Sequence, residues 1–193
     1  ETALKQAEAN FNRLFLGAQF IISDMNNLCL KEKQFDIVFS GGVLEFFDNA
    51  QKPIDEMVRV LKPGGIFAAN LVPNKFSIQT IADVERTVAC SAMNLFRGRF
   101  NDVFRMVRNI PTDYKVSALP LKGYLDMCRN AGLNSVVGLV TSPFPVLALP
   151  LSLQRVYVNL MQKLTPYWRK FNATKNLFTK NLGITYTIYG IKA

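Results

Sequence analysis

The tightest constraint on how this chain can fold is a stretch in its first third, where two short apolar runs flank a single helical stripe. Phe35–Ser40 (FDIVFS) is rich in β-branched and aromatic residues and ends at Gly41-Gly42, the pattern of a strand buried on both faces. Ile54, Met57, Val58 and Leu61 then recur at i, i+3, i+4 and i+7, which is one face of a helix. Asp48 or Asn49 can cap the start of that helix. Lys62-Pro63-Gly64-Gly65 stops it, and Ile66–Val72 follows at once as another strand. A strand, a covering helix and a second strand form a crossover unit whose two strands lie parallel.

The alternation continues on both sides. Ala3, Leu4, Ala7, Phe11 and Leu14 predict an amphipathic helix over residues 2–15 that stops at Gly17. Ala18–Ser23 (AQFIIS), ending at Asp24, predicts a further buried parallel strand. Beyond Pro73 the pattern loosens into helical segments over about residues 76–108, with Arg97, Arg99, Arg105 and Arg108 among apolar residues. Leu121, Tyr124, Leu125 and Cys128 give a helix ending at Gly132, Leu133–Val140 a strand, and Ile184–Ile191 a closing strand. The expected class is α/β: a mostly parallel sheet covered on both faces, with ligands at the carboxyl ends of its strands. We expect one domain over residues 1–193, with inserted cap segments at 73–118 and 141–182.

Composition narrows the chemistry. With 193 residues, 49% of them hydrophobic, the chain has ample material for a core. It contains no histidine, which removes the commonest general base and metal ligand, so no metal site is expected. Cys29, Cys90 and Cys128 match no ligand spacing and are expected as reduced, buried thiols of a cytoplasmic protein. The longest weakly polar stretch, 139–153, is broken by Pro143, Pro145 and Pro150 and is too short to span a bilayer.

Ligand chemistry should gather at the ends of the first two strands. Asp24-Met25-Asn26 follows the first, and a carboxylate there can accept from a ligand amine, although a turn-forming or capping role explains Asp24 equally well. Ser40-Gly41-Gly42 and Val43 to Phe47 follow the second, where paired glycines let a ligand approach the backbone.

Taken in order, FIISDM, FDIVFSGGVLEFF and PIDEMVRVLKPGGIF resemble class I S-adenosylmethionine-dependent methyltransferases, in the branch that modifies small molecules and lipids. The resemblance covers about residues 1–72 and implies a Rossmann-like sheet with an antiparallel last strand and S-adenosylmethionine as cofactor. It implies that Asp24 accepts from the adenine amino group and that Met25 contacts the adenine ring. Ser40, Gly41 and Gly42 would line the methionine side, with Val43, Leu44, Phe46 and Phe47 as walls. Asp36 and Lys62-Pro63-Gly64-Gly65 are read as structural. The family's glycine-rich loop and ribose-binding acid have no counterpart in this sequence, and ETALKQAEANF is similar to the helix after its second strand. The expectation is therefore an N-terminally incomplete chain that lacks the first two strands. Without histidine, any general base must be Glu45, another carboxylate, Tyr114 or Tyr124. Glu45 stands near the acceptor position, but a solvated or capping role accounts for it as well.

The net charge of +9 is uneven. After Asp126 come Arg129, Arg155, Lys163, Arg169, Lys170, Lys175, Lys180 and Lys192 with no Asp or Glu. Within that third, Val156, Tyr157, Leu160, Met161 and Leu164 form an apolar stripe opposite Gln154, Arg155, Asn159, Gln162 and Lys163, with Tyr167, Trp168 and Phe171 beyond. An anionic membrane surface suits such a helix, and packing on the sheet with solvated bases suits it too. Nucleic acid is disfavoured, because there is no continuous basic helix. Two functions follow: methyl transfer to an apolar small-molecule or lipid-like acceptor in a cytoplasmic, peripherally membrane-associated enzyme, or a catalytically incomplete methyltransferase-like scaffold that binds a partner or anionic membrane through its basic segment.

Overall fold

The computed structural model describes residues 2–102, 104, 117–141, 144, 147, 149–174 and 176–193. Four strands form one sheet: β1 (Phe35–Gly41), β2 (Leu61–Leu71), β3 (Leu133–Thr141) and β4 (Thr185–Lys192), in the order β1-β2-β4-β3. β1 and β2 pair parallel, whereas β4 runs antiparallel to both β2 and β3. Three strands thus share a direction and the last opposes them, as the sequence suggests. The helices are α1 (Thr2–Arg13), α2 (Gln51–Val60), α3 (Ile78–Phe96), α4 (Leu121–Asn130), α5 (Leu151–Ala173) and α6 (Leu177–Leu182), with a 3₁₀ turn at Leu44–Phe46. Arg105, Arg108 and Tyr114 lie outside the described residues.

The core lies between the sheet and the pair α2 and α4. Ile54, Met57 and Val58 of α2 and Tyr124 and Cys128 of α4 are buried against Phe67, Ala69 and Leu71 of β2 and Tyr186 and Ile188 of β4. Burial of that many large apolar side chains, at roughly 1.5–3 kcal/mol each, is the main force holding the layers together. Cover on the opposite face differs from the expectation. The register row Ile37, Ile66, Ile191 and the row Phe39, Ala68, Tyr189, Val137 point away from α2 and α4, and Ile37, Phe39, Ile66, Val137, Tyr189 and Ile191 are exposed.

Two elements depart from the sequence reading. Ala18–Ser23 is not a strand: Ile21 and Ile22 are exposed, and the segment is held to α1 by the edge-on Phe11–Phe20 contact, with centroids 5.3 Å apart. An apolar run becomes a strand only where a neighbour bonds its backbone, and among the described residues none does. Cys29, expected inside, is exposed on the loop that follows, whereas Cys90 is half-buried and Cys128 fully buried, its thiol pushed up to about 12 by desolvation.

Lys62-Pro63-Gly64-Gly65 does not simply end α2. The helix stops at Val60, and these four residues bulge out of β2, since Phe35 pairs with Leu61 and Ile37 with Ile66. Gly64 takes φ +75°, and a Cβ on Gly65 would meet the carbonyl oxygens of Lys62 and Asp36 at 2.8 and 3.1 Å. Lys62 Nζ donates to both oxygens of Asp36 at 2.8 and 2.9 Å across the bulge, which supports the structural reading of both residues. The α2 start is capped one residue early: Asn49 Oδ1 accepts from the Gln51 amide at 2.9 Å, while Ala50 holds the cap position.

Because the obstacle at Gly65 is backbone, Gly65→Ala should destabilise the protein by roughly 1–3 kcal/mol. Gly17→Ala, which meets nothing within 4 Å, should not. Urea denaturation of both variants tests this, and equal midpoints would refute the bulge argument.

Candidate functional site

The Asp24 turn is built on α2. Leu28 donates its amide to Glu56 Oε2 at 2.8 Å, and Arg59 closes the loop by donating Nη2 to the Leu28 carbonyl at 3.1 Å and Nε to Glu56 Oε1 at 2.7 Å. Ser23 Oγ accepts from the Cys29 amide at 2.9 Å. Inside this frame Asp24 Oδ1 accepts from the Asn26 amide at 2.9 Å and from Asn26 Nδ2 at 3.2 Å, an Asx turn. Among the described residues Asp24 Oδ2 makes no hydrogen bond, and the side chain is exposed. Met25 is half-buried against the core. Asp24 therefore forms a turn that engages only one of its carboxylate oxygens.

At the end of β1, Ser40 is buried, Gly41 closes the strand, and Gly42 takes φ +70° while donating its amide to the Asn70 carbonyl at 2.8 Å. The left-handed conformation there favours glycine. Glu45, in the 3₁₀ turn that follows, is only 3% exposed. Its Oε1 accepts from the Val72 amide at 3.1 Å and its carbonyl accepts from the Ser117 amide at 2.7 Å. Of the residues flanking it, Leu44 is buried, Phe47 packs on the core and Phe46 is exposed.

Among the described residues three buried polar atoms at this end of the sheet have no hydrogen-bond partner: Ser40 Oγ, Glu45 Oε2 and the Tyr124 hydroxyl. Tyr124 is fully buried and lies edge-on to Tyr186, with ring centroids 6.4 Å apart. Desolvation holds its hydroxyl above the usual tyrosine range. Ser117 lies close enough to oppose that, without the geometry of a hydrogen bond, whereas the charges of Glu45 and Tyr186 add to it. Lys75 Nζ stands 5.6 Å from the Tyr186 ring centroid, and burial lowers its pKa. Orphaned buried groups cost about 1–3 kcal/mol each. In this buried cluster a carboxylate oxygen can take a proton and a phenol can donate a hydrogen bond.

Sequence reasoning named Ser40, Gly41, Gly42, Glu45 and Tyr124, and the fold gathers them at the carboxyl end of β1 and β2. Asp24 and Met25 stand on a separate turn whose hydrogen bonds run to α2. Lys75, Ser117 and Tyr186 were missed. The alternation of the closing strand could have put Tyr186 on the covered face, whereas Lys75 and Ser117 lie where the hydrophobic pattern is silent.

Residues 1–69 match the model of a family described as a methyltransferase domain. Among solved structures, the chain is similar to an S-adenosylmethionine-dependent methyltransferase from Thermotoga maritima, with 15% identity over 96% of this chain and 69% of that one and a TM-score of 0.52. It is equally similar to the YcgJ protein of Bacillus subtilis, with 15% identity, 98% and 77% coverage and a TM-score of 0.52. The [4+2]-cyclase SpnF shares the fold too, with 14% identity, 98% and 62% coverage and a TM-score of 0.51. A search of the curated proteins gives no match. The fold is that of class I S-adenosylmethionine-dependent methyltransferases, whose cofactor is S-adenosylmethionine. The residues present suit one side of that cofactor: a free Asp24 oxygen for an amine, and side-chain-free backbone at Gly41 and Gly42.

Two outcomes follow from these bonds. Removing the Glu45 side chain orphans the Val72 amide, so Glu45→Ala should cost about 1–3 kcal/mol, whereas Tyr124→Phe, which deletes an unpartnered hydroxyl, should leave stability within about 0.5 kcal/mol or raise it. Thermal melts decide this, and a large loss in Tyr124→Phe would expose a hidden partner. The Arg59 guanidinium lowers the pKa of Glu56 by hydrogen bonding, so its stabilisation is complete above the ordinary glutamate range and fades as pH falls through the lowered folded value. Glu56→Gln should flatten the acid side of the stability-against-pH curve, and an unchanged curve would show that the pair contributes nothing.

Proposed function

We propose that this chain, a class I S-adenosylmethionine-dependent methyltransferase, acts on an apolar small-molecule or lipid-like acceptor, and that Glu45 takes the proton from the acceptor atom to be methylated. The observation that carries this reading is Glu45 Oε2, a carboxylate oxygen shielded from water and without a hydrogen-bond partner, at the carboxyl end of the parallel strands. Bound S-adenosylmethionine supplies an electrophilic methyl group on a sulfonium.

Asp24 Oδ2 accepts from the adenine amine and Met25 packs against the ring. Gly41 and Gly42 leave room along the backbone, and Ser40 Oγ offers a hydroxyl to the methionine part. Glu45 Oε1 stays bonded to the Val72 amide, which holds the carboxylate while Oε2 accepts the proton. Tyr124, kept neutral by burial, donates a hydrogen bond to the acceptor's polar atom. The dry surroundings strengthen both contacts.

The apolar character of the acceptor rests on the segment that joins the chain at Glu45. The chain leaves the site after β2 and returns to it: Asn74 donates its amide to the Ser117 carbonyl at 3.1 Å, next to the Ser117–Glu45 bond. Between those points α3 exposes Val84, Val88, Met93, Leu95 and Phe96, with Phe76 before it and Phe100 and Phe104 beyond it. A cap of that composition favours an apolar ligand over a charged one.

Calorimetric titration with S-adenosylhomocysteine tests the cofactor half. Asp24→Ala should weaken binding about ten-fold or more, the worth of one hydrogen bond to a charged group, while Glu45→Gln should leave it unchanged. Equal affinity of wild type and Asp24→Ala would overturn the assignment of Asp24, and weakened binding in Glu45→Gln would move Glu45 from the acceptor side to the cofactor side.

A further inference from the structure

Helix α5 (Leu151–Ala173) carries two apolar strips with different fates. Tyr157, Met161, Thr165, Trp168 and Phe171 are half-buried. Trp168 stacks on Phe144 with centroids 4.7 Å apart and lies 5.3 Å from Phe171 and 6.4 Å from Phe178, so this strip faces the body of the protein. The adjoining strip is Leu153, Val156, Leu160, Leu164 and Tyr167, spaced three or four residues apart, and every member is exposed, Val156 by 63% and Tyr167 by 72%. Lys163 and Lys170, each three residues beyond a member of the strip, border it on the side away from the body, and Arg155 and Arg169 stand further round the helix. α5 contains no Asp or Glu, and no acid occurs after Asp126.

We propose that this strip of α5 is a docking surface for a membrane containing anionic phospholipid, with the helix lying in the plane of the interface. An exposed apolar strip with Tyr167 at one end and lysines along one border lets the aliphatic stems lie on the acyl boundary while the ammonium groups reach phosphate. No described helix is long and apolar enough to cross a membrane, so the contact is superficial. Charge decides against a second copy as the occupant: pairing two such helices would set rows of bases opposite each other with no carboxylate from either α5. An anionic lipid surface is attracted by the same bases. The inference is independent of methyl transfer, since α5 contributes none of the residues assigned to the cofactor or to proton removal.

Co-sedimentation of the full chain with vesicles tests it. Phosphatidylcholine vesicles should bind weakly, and vesicles of equal parts phosphatidylcholine and phosphatidylglycerol strongly, with binding that falls as salt rises. Lys163→Gln with Lys170→Gln should weaken the anionic-vesicle affinity about thirty-fold, near five-fold per lysine, and Val156→Asp with Leu160→Asp should remove it. All four positions are solvent-facing, so circular dichroism and S-adenosylhomocysteine binding should not change. Equal binding to both vesicle types, or binding that both double variants retain, would overturn the proposal. So would a dimer in light scattering that the Val156→Asp, Leu160→Asp variant dissolves without any vesicle binding, because the strip would then be covered by a second copy.

Discussion

Everything in this molecule is tied together by β4. It lies between β2 and β3 and bonds antiparallel to both, so the crossover unit and edge strand β3 belong to one sheet only because the eight residues of β4 insert between them. The strand serves both its faces and both its ends. Ile188 and Tyr186 fill the core, and Tyr186 meets Tyr124 edge-on. At the opposite end Lys192 Nζ donates to the Val58 and Leu61 carbonyls at 2.7 and 2.8 Å, satisfying acceptors that the end of α2 would otherwise leave open. A single strand thus sets the distance between α2 and the sheet, and with it the position of everything α2 carries.

What α2 carries is the loop that bears Asp24. Glu56 and Arg59 hold the 23–28 loop, and the Asx turn at Asp24 is formed inside that hold. Glu45 depends on other contacts: the Val72 amide holds its side chain, and Ser117 joins its carbonyl to the point where the inserted segment returns. The Asp24 loop and Glu45 are thus supported separately, so a change in one can leave the other intact.

The crossover unit was legible because Phe35–Ser40 is a short run rich in β-branched and aromatic residues and Ile54, Met57 and Val58 repeat like a helix; both elements formed, although Leu61 opens β2 and one face of β1 is exposed. Ala18–Ser23 had the same apolar signature and did not form a strand, because pairing is a property of neighbours and not of the run itself. The bulge at Lys62 to Gly65 was legible as a break, but its geometry was not, since only the register of Phe35 and Ile37 against β2 shows the residues looped out. Ser40, Gly41, Gly42 and Glu45 could be found from strand direction and the family pattern. Lys75, Ser117 and Tyr186 join the cluster through contacts with Tyr186, Glu45 and Tyr124 in turn, each across more than 60 residues of chain, and no local period encodes such contacts. The exposed side of α5 was half legible. The stripe Val156, Leu160 and Leu164 was read correctly as apolar, yet Tyr157 and Met161 belong to the neighbouring strip that faces inward, a separation of roughly one residue's rotation that periodicity alone blurs.

Fold likeness does not by itself select the reaction, because a [4+2]-cyclase shares this architecture with methyltransferases. Selection lies in the polar atoms that the protein buries and leaves unbonded. The Ser40 and Tyr124 hydroxyls could each have been replaced by an apolar isostere at little cost or at a gain in stability, and only one oxygen of Glu45 is needed to hold the Val72 amide. A buried carboxylate oxygen and a phenol kept at one end of the sheet against that cost suit the proposed acceptor, one with a proton to lose and a polar atom to hold. A purely pericyclic reaction between apolar partners transfers no proton and would have no use for the carboxylate. The proposal of group transfer to a protic acceptor therefore rests on the buried, half-satisfied Glu45 and not on similarity of sheet order.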